Sequence, residues 1–487
     1  MAPSTKVDIP PAQIVKGLKK IPPYWHPYIT MAKERWLGRE LLEVVTSEFR
    51  DRSTDFYRYA LESGVTTING KRASPETIIR NGDRIENVVH RHEPPVTATP
   101  VKIILNDKER EFIVIDKPGS IPVHAAGRYY RNSLAEMLKH EFGYEKVYTV
   151  NRLDRLTSGL LIIPTSPERA RTLSSEFMAG TVKKEYIARC SGEFPAGEVV
   201  CEQPLLTVDR QVGLNIVHPE GKHAKTIFQR IRYDANSDTS VVLCKPITGR
   251  SHQIRVHLQY LGHPIANDQV YCLSKIWGPK LGKGGLDTTP NNERQAPTPP
   301  EHVKDFTIAN GSPETRLLNE NGERTQKLMP RETGDDIGLG SPVALSSEAM
   351  AIIRGLRNLK DEDQNWGRWR DVVFRAKGLL LQPENSSRPN VPPSSDEAQV
   401  SVEEALRESA EIDEHTASML DPEDARVLIV DGNRYCSQCY LPLHPDPKPE
   451  QLYIFLHALR YSTSLGVFET EMPEWAAQDF TWDQSIL

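Results

Sequence analysis

The sequence predicts an α+β fold, and three observations lead there. Between residues 101 and 278, short apolar strand patterns recur with few helical patterns among them. Several of these strands follow one another directly, which favours a mixed, mostly antiparallel sheet over a doubly wound one. Hydrophobic residues make up only 38% of the 487 residues and there are 37 prolines, so a packed core must coexist with a sizeable irregular fraction. A chain of this length has room for roughly two to four domains.

Taken in order, residues 1–32 are rich in proline and aromatics, as in Ile21-Pro22-Pro23-Tyr24-Trp25, and read as an extended lead-in. Residues 33–62 read as helical, because Trp36, Leu37, Leu41, Val44, Val45 and Phe49 recur at three- and four-residue steps. Gly64 to Gly70 reads as a turn, a short strand and an Asn-Gly turn, and Gly82-Asp83 as a turn into another strand. Helices followed by such a hairpin over 33–100 resemble an S4-like RNA-binding extension, with a plain α+β extension as the alternative.

In the 101–278 segment, Phe112-Ile113-Val114-Ile115 is a short apolar strand, and Leu134, Met137 and Leu138 mark a helix. Leu160-Leu161-Ile162-Ile163 reads as a buried strand stopped by Pro164. Ser166 is a helix N-cap and Pro167 suits the first helical position, so a helix should run to about Met178. Strands are expected over 184–190, 224–233 and 239–246. Ile254, His257, Leu258 and Leu261 share one helix face, which Gly262 and Pro264 close. Residues 279–424 read as a largely disordered acidic insertion with a helical patch around Trp366 and Trp369. Residues 425–487 recover order as an accessory segment, with a strand at Val427-Leu428-Ile429-Val430 and an apolar run over 452–459.

Charge is unevenly spread. Net charge is −6, yet residues 101–278 hold 24 basic against 19 acidic residues, and residues 1–100 hold 15 against 12. Residues 279–487 carry 21 against 35 and hide this basic body, which suits a polyanionic partner. No apolar run approaches the roughly 20 residues of a bilayer span. The opening Met1-Ala2-Pro3-Ser4 lacks an apolar signal core, and six cysteines are too few for a disulfide scaffold. A reducing, intracellular location is expected.

The most informative run is Asn151-Arg152-Leu153-Asp154-Arg155-Leu156-Thr157-Ser158-Gly159. One carboxylate sits between two arginines, which lower its pKa, and a hydroxyl pair and a glycine lead into a buried strand. Alone, such an aspartate would read as a salt-bridged turn. The run resembles the His-Arg-Leu-Asp-x-x-Thr-Ser-Gly motif of RluA-type RNA pseudouridine synthases, with Asn151 in place of histidine. Three further segments resemble that family in its order: Glu111 to Pro118 with Pro122-Val123-His124; Lys183-Lys184-Glu185-Tyr186; and Thr248 to His257 followed by Gly262-His263-Pro264-Ile265.

The resemblance implies a pseudouridine synthase fold and an isomerase that needs no cofactor, since the reaction adds no atoms. It gives Asp154 the essential carboxylate's role, acting on C1′ or assisting a glycal intermediate. Tyr186 takes the place of the tyrosine against the target base, and Arg255 that of the arginine paired with the aspartate. RNA contacts fall to Arg152, which fills the space of the flipped base, and to Arg155, His124, Lys184, Arg250 and His252. The asparagine form of the motif, Gly127-Arg128-Tyr129, His92-Glu93-Pro94-Pro95-Val96 and Lys222-His223-Ala224-Lys225-Thr226 resemble fungal tRNA pseudouridine synthases acting at the first anticodon-loop position. The expected partner is therefore RNA, tRNA first, with messenger or ribosomal RNA as the alternative. A monomer is expected, cytoplasmic, with mitochondrial and nuclear shares left open. A non-catalytic RNA-binding or chaperone protein on the same fold remains the competing class.

The tail holds Cys436-Ser437-Gln438-Cys439 with His444 beyond, a weak metal candidate without a second cysteine pair, so no metal is expected. A zinc deaminase needs His-x-Glu followed by Pro-Cys-x-x-Cys. Here Tyr435 precedes Cys436, so none is expected.

Overall fold

The computed structural model describes residues 11–48, 54–62, 64, 66–286, 337–338, 340–364, 420–421, 424–430, 433–436, 443, 445–478 and 480–482. The central element is a nine-stranded mixed sheet. Its path runs Glu198–Cys201, Thr226–Asp234, Thr239–Pro246, Lys183–Ser191, Leu456–Thr463, Ser158–Pro164, Phe112–Lys117 and Lys102–Asp107, and Gly466–Glu469 pairs onto Leu456–Thr463. Every pairing is antiparallel except that of Ser158–Pro164 with Leu456–Thr463.

The predicted helix after Pro164 forms over Pro167–Ala179 for the predicted reasons. Ser166 accepts a hydrogen bond from the Arg169 amide, proline occupies the first turn, and Gly180 closes the helix at φ 72°. The Asn69-Gly70 turn joins Thr66–Ile68 to Lys71–Arg72 with both turn residues at positive φ. The residue 33–62 helix is broken into a 3-10 turn, Glu34–Trp36, and two helices, Leu41–Glu48 and Thr54–Glu62.

Two expectations need correction. Residues 1–32 are no mere lead-in: Tyr24–Met31 pairs along its full length with Arg84–Arg91 in a four-stranded sheet. The C-terminal segment is no accessory to the central sheet, because Leu456–Thr463 lies between Lys183–Ser191 and Ser158–Pro164. Gly159 shows how tightly it fits. A Cβ there would lie 2.3 Å from the Ala458 carbonyl oxygen, so only glycine admits this strand. Beside it, the Phe455 amide donates to Asn267 Oδ1 at 2.6 Å, and the Ile454 amide to the Leu156 carbonyl at 3.1 Å. The Trp366–Trp369 patch lies outside the described residues; the helix seen in the acidic region is Ser347–Gln364.

Two apolar clusters flank the central sheet. One joins Phe112–Ile115 and Leu160–Ile163 to the helices Leu134–His140 and Pro167–Ala179. The other joins Ile187, Val241 and Val242 to Ile254, Leu258, Phe455 and Trp475. A third packs the Leu205–Asp209 and Leu214–Val217 hairpin against Ile352, Ile353 and Leu356 of the Ser347–Gln364 helix.

Candidate active site

Asp154 stands on the loop before strand Ser158–Pro164. Leu153 anchors that loop in the core at 4% exposure, and the Thr157 amide donates to the Asp154 carbonyl at 3.1 Å. Behind it, fully buried Lys117 donates through Nζ to the carbonyls of Pro118 and Ile121, both at 2.9 Å, and reaches that of Arg155 at 3.4 Å. Burial pushes the Lys117 amine down to about 7, against the pull of Asp154.

The helix Gln253–Tyr260 supplies the partner. Arg255 Nη1 donates to Asp154 Oδ2 at 3.1 Å. Its other edge forks onto Asp268, Nε to Oδ2 at 2.6 Å and Nη2 to Oδ1 at 2.9 Å. Asp268 Oδ1 also accepts from the Val270 amide at 2.9 Å and the Tyr271 amide at 3.2 Å, and the Arg255 guanidinium lies 4.9 Å from the Tyr271 ring centroid. Burial works against the Arg255 charge, but Asp268 first and then Asp154 more than offset it and push its pKa up.

His252 sits just before this helix at φ 57°, a left-handed conformation that costs about 1–3 kcal/mol outside glycine. Tyr271 helps hold it. The Tyr271 hydroxyl accepts from the Asn215 amide at 3.1 Å and lies 2.9 Å from His252 Nδ1. His252 Nε2 faces Asp154 Oδ2 at 3.6 Å. Burial, then Arg255, pushes His252 down to about 4, so it is neutral near pH 7. Burial opposes the charge on Asp154, but His252, Arg255 and Arg152 together hold its carboxyl below the usual range. With His252 neutral, Arg255 is the partner that keeps Asp154 ionised at neutral pH.

The other wall is aromatic. Tyr186, half-buried at a bulge in strand Lys183–Ser191, shares a 2.7 Å hydroxyl contact with fully buried Tyr461. Burial drives the Tyr186 phenol up to about 12; Tyr461 pulls it down and Asp154 pushes it up.

The structure thus brings Asp154, Arg255, His252 and Tyr186 together, with exposed Arg152 acting electrostatically on Asp154, His124 and His252. Arg155 lies over the Tyr129 ring, 5.4 Å from its centroid. Lys184 Nζ would lie 3.3 Å from a Cβ at Gly249, beside exposed Arg250, whose Nε donates to the His223 carbonyl at 2.9 Å. Asn151 Oδ1 is buried with no protein hydrogen-bond partner among the described residues. Asp268 and Tyr271 stand in no sequence motif, and Tyr461 ends a C-terminal run that gives it no site role, so sequence alone does not mark these three. Cys436 lies elsewhere; Cys439 and His444 fall outside the described residues. Among the described residues, one donor group could hold a metal, His90, His92 and Cys436, and none of them belongs to the Asp154 cluster.

The chain is similar to several known proteins. The family model described as RNA pseudouridylate synthase matches residues 111–260. The human protein named pseudouridylate synthase RPUSD2 is 34% identical over 469 residues, covering 96% of this chain and 75% of that protein. The Saccharomyces cerevisiae protein named tRNA pseudouridine(32) synthase, mitochondrial, is 50% identical over 272 residues, 55% of this chain and 58% of that relative's length. A solved structure titled Human RNA Pseudouridylate Synthase Domain Containing 1 aligns with 23% identity over 37% of this chain and 72% of that one, at a TM-score of 0.33. Near-complete coverage at 34% identity decides the matter: the chain belongs to the RNA pseudouridylate synthase family.

Proposed function

We propose that the protein isomerises uridine to pseudouridine in RNA, with the anticodon loop of tRNA as substrate and its first position as the target. The observation that carries this reading is the Asp154–Arg255–Asp268 chain, in which one guanidinium holds the motif carboxylate ionised and fixed in direction. The yeast relative's name supports the tRNA loop.

The reaction breaks the N1–C1′ bond, turns the base and joins C1′ to C5; the proton leaving C5 is balanced by one gained at N1. Asp154 acts on the ribose, either by adding to C1′ or by assisting a glycal, and both routes need it ionised. Arg255 keeps it so. His252, neutral, turns Nε2 toward the same carboxylate and adds no charge there at neutral pH. Tyr186 stays protonated at neutral pH and offers a ring face on which a detached base can turn, its hydroxyl held by Tyr461. The target nucleotide must leave its stack to reach these groups, and Arg152 is placed to fill the gap. Arg155, His124, Lys184 and Arg250 contact the surrounding RNA.

Residues 101–278 with the C-terminal strand form the catalytic unit. Residues 33–100 act as an S4-like RNA-holding extension, a reading supported by two short helices beside the four-stranded sheet. The protein works as a monomer in the cytoplasm with a mitochondrial share. No helix among the described residues is long and apolar enough to cross a membrane.

The test is pseudouridine mapping on total RNA from cells lacking the gene, rescued with wild type or Asp154→Ala. One anticodon-loop pseudouridine should vanish and return only with wild type. Loss confined to messenger or ribosomal sites would keep the chemistry and overturn the substrate. Full rescue by Asp154→Ala would favour a non-catalytic RNA-binding role.

A further inference from the structure

We propose that His90, His92 and Cys436 form a zinc site that ties the C-terminal part of the chain to the N-terminal sheet. His90 lies on strand Arg84–Arg91 and His92 one residue beyond its end. Alternate positions of extended chain share a face, and the two rings meet edge to face with centroids 4.8 Å apart. Cys436, 3% exposed, ends strand Asn433–Cys436 and reaches them from 346 residues away.

The spacing of the donor atoms carries the assignment. His90 Nδ1 is 3.1 Å from His92 Nε2 and 3.6 Å from Cys436 Sγ, and the three atoms all lie within 4.8 Å of one another. Tetrahedral zinc, with bonds of about 2.0–2.1 Å to nitrogen and 2.3 Å to sulfur, separates two nitrogens by about 3.3 Å and nitrogen from sulfur by about 3.6 Å. Two of the three separations therefore already stand near those between ligands of one ion. Two imidazoles and a thiolate suit zinc and disfavour magnesium or calcium, which take oxygen donors. Binding breaks the Cys436 S–H bond, forms a sulfur–zinc bond and releases the proton to solvent. The fourth position is left to water or a further donor.

The consequence is architectural. Strand Asn433–Cys436 precedes Leu456–Thr463, which the central sheet needs. A metal clasp upstream of that strand limits how far the C-terminal segment can stray from the body, without taking part in the reaction.

The experiment uses the full chain. After loading with zinc sulfate and exhaustive dialysis, elemental analysis should find about one equivalent of zinc per chain. Cobalt exchanged for zinc should give a thiolate-to-cobalt charge-transfer band, which Cys436→Ser abolishes. His92→Gln, milder for the fold, should weaken zinc binding tenfold or more in a competition titration with a chromophoric chelator. A chelator should lower the melting temperature of wild type and leave that of Cys436→Ser unchanged. A folded wild-type chain that retains no zinc after loading would overturn the proposal, leaving a hydrogen-bonded cluster. So would a cobalt complex without a thiolate band, or undiminished zinc binding by either variant.

Discussion

The two walls of the candidate site are built differently. The charged wall brings Asp154 against Arg255, 101 residues on, and is fixed by an arginine clamped between two carboxylates. The aromatic wall joins Tyr186 to Tyr461, 275 residues apart, through one neutral hydroxyl contact. In the first, electrostatics sets direction and every buried charge depends on its neighbour. In the second, strand packing sets direction and the polar contact adds little. Substitutions should therefore be severe on the charged wall and mild on the aromatic one, unless they disturb the strand itself.

The largest effect is expected at Arg255. Removing one member of a buried, hydrogen-bonded charge set costs about 3–5 kcal/mol, because the other charges are left uncompensated. Arg255→Ala leaves Asp154 and Asp268 facing each other unneutralised, so single-turnover rates should fall by about 10²–10⁴-fold. RNA affinity should change little, since phosphate contacts elsewhere supply most of it. Asp268→Asn sharpens the point. It keeps Arg255 beside Asp154 but weakens the fork, and should cost about ten- to a hundredfold in rate. The acid limb of the pH–rate profile should not move upward in that variant. An unchanged rate in Arg255→Ala would remove Arg255 from the assigned role, and an unchanged rate in Asp268→Asn would remove the fork from it.

Gly159→Ala tests the strand on which the aromatic wall depends. The new Cβ meets the Ala458 backbone at 2.3–2.5 Å at a φ of +112°, so the parallel pairing must open. Overpacking and backbone strain together should cost about 3 kcal/mol or more, read as a lowered urea midpoint. Gly197→Ala, where a Cβ meets nothing within 4 Å, is the control and should stay within about 1 kcal/mol. Equal midpoints would mean that the C-terminal strand is not held as described.

Each wall also carries a histidine whose pKa is lowered by burial, so acid should loosen both. His252 and His457 are pushed down to about 4, in each case by burial first. Near neutral pH they are uncharged in folded and unfolded chains alike, and no penalty arises. Between about 6.5 and 4 only the unfolded chain takes up the protons, so stability falls as pH falls through that window. Below it both states are protonated and the loss levels off. The expected loss is about 3 kcal/mol per histidine. His457→Gln should flatten the dependence of the urea midpoint on pH; an unaltered slope would show that His457 is accessible to protons in the folded state.

The same contrast explains what could be read from sequence. Asp154, Tyr186 and Arg255 lie in runs whose neighbours mark them, and Ser166-Pro167 opens its helix by local chemistry. Asp268 lies in no such run, and Tyr461 ends the run Leu452 to Tyr461, which resembles a C-terminal segment of the same eukaryotic branch of the family but does not mark Tyr461 as a site residue; both roles arise from what folding brings against them. Strand Leu456–Thr463 is visible as an apolar run, yet its place in the sheet depends on pairing across hundreds of residues, including a parallel contact of two residue pairs. The Cys-x-x-Cys is visible too, but in sequence its nearest further donor is His444, whereas the structure sets Cys436 against His90 and His92.

Tyr461→Phe should have the smallest effect and separates packing from hydrogen bonding on the aromatic wall. It removes one oxygen from a fully buried side chain and leaves its ring, which also packs against Phe177 at 6.4 Å. The strand should therefore stay in place at a cost of about 1 kcal/mol. The Tyr186 phenol then loses the contact that lowers its pKa and becomes a still weaker acid, so it remains protonated at every working pH. If Tyr186 serves through its ring face, turnover should drop less than about tenfold and the alkaline side of the pH profile should keep its shape. A drop as deep as that of Arg255→Ala would mean that the hydroxyl pair, and not the ring, does the chemistry on this wall.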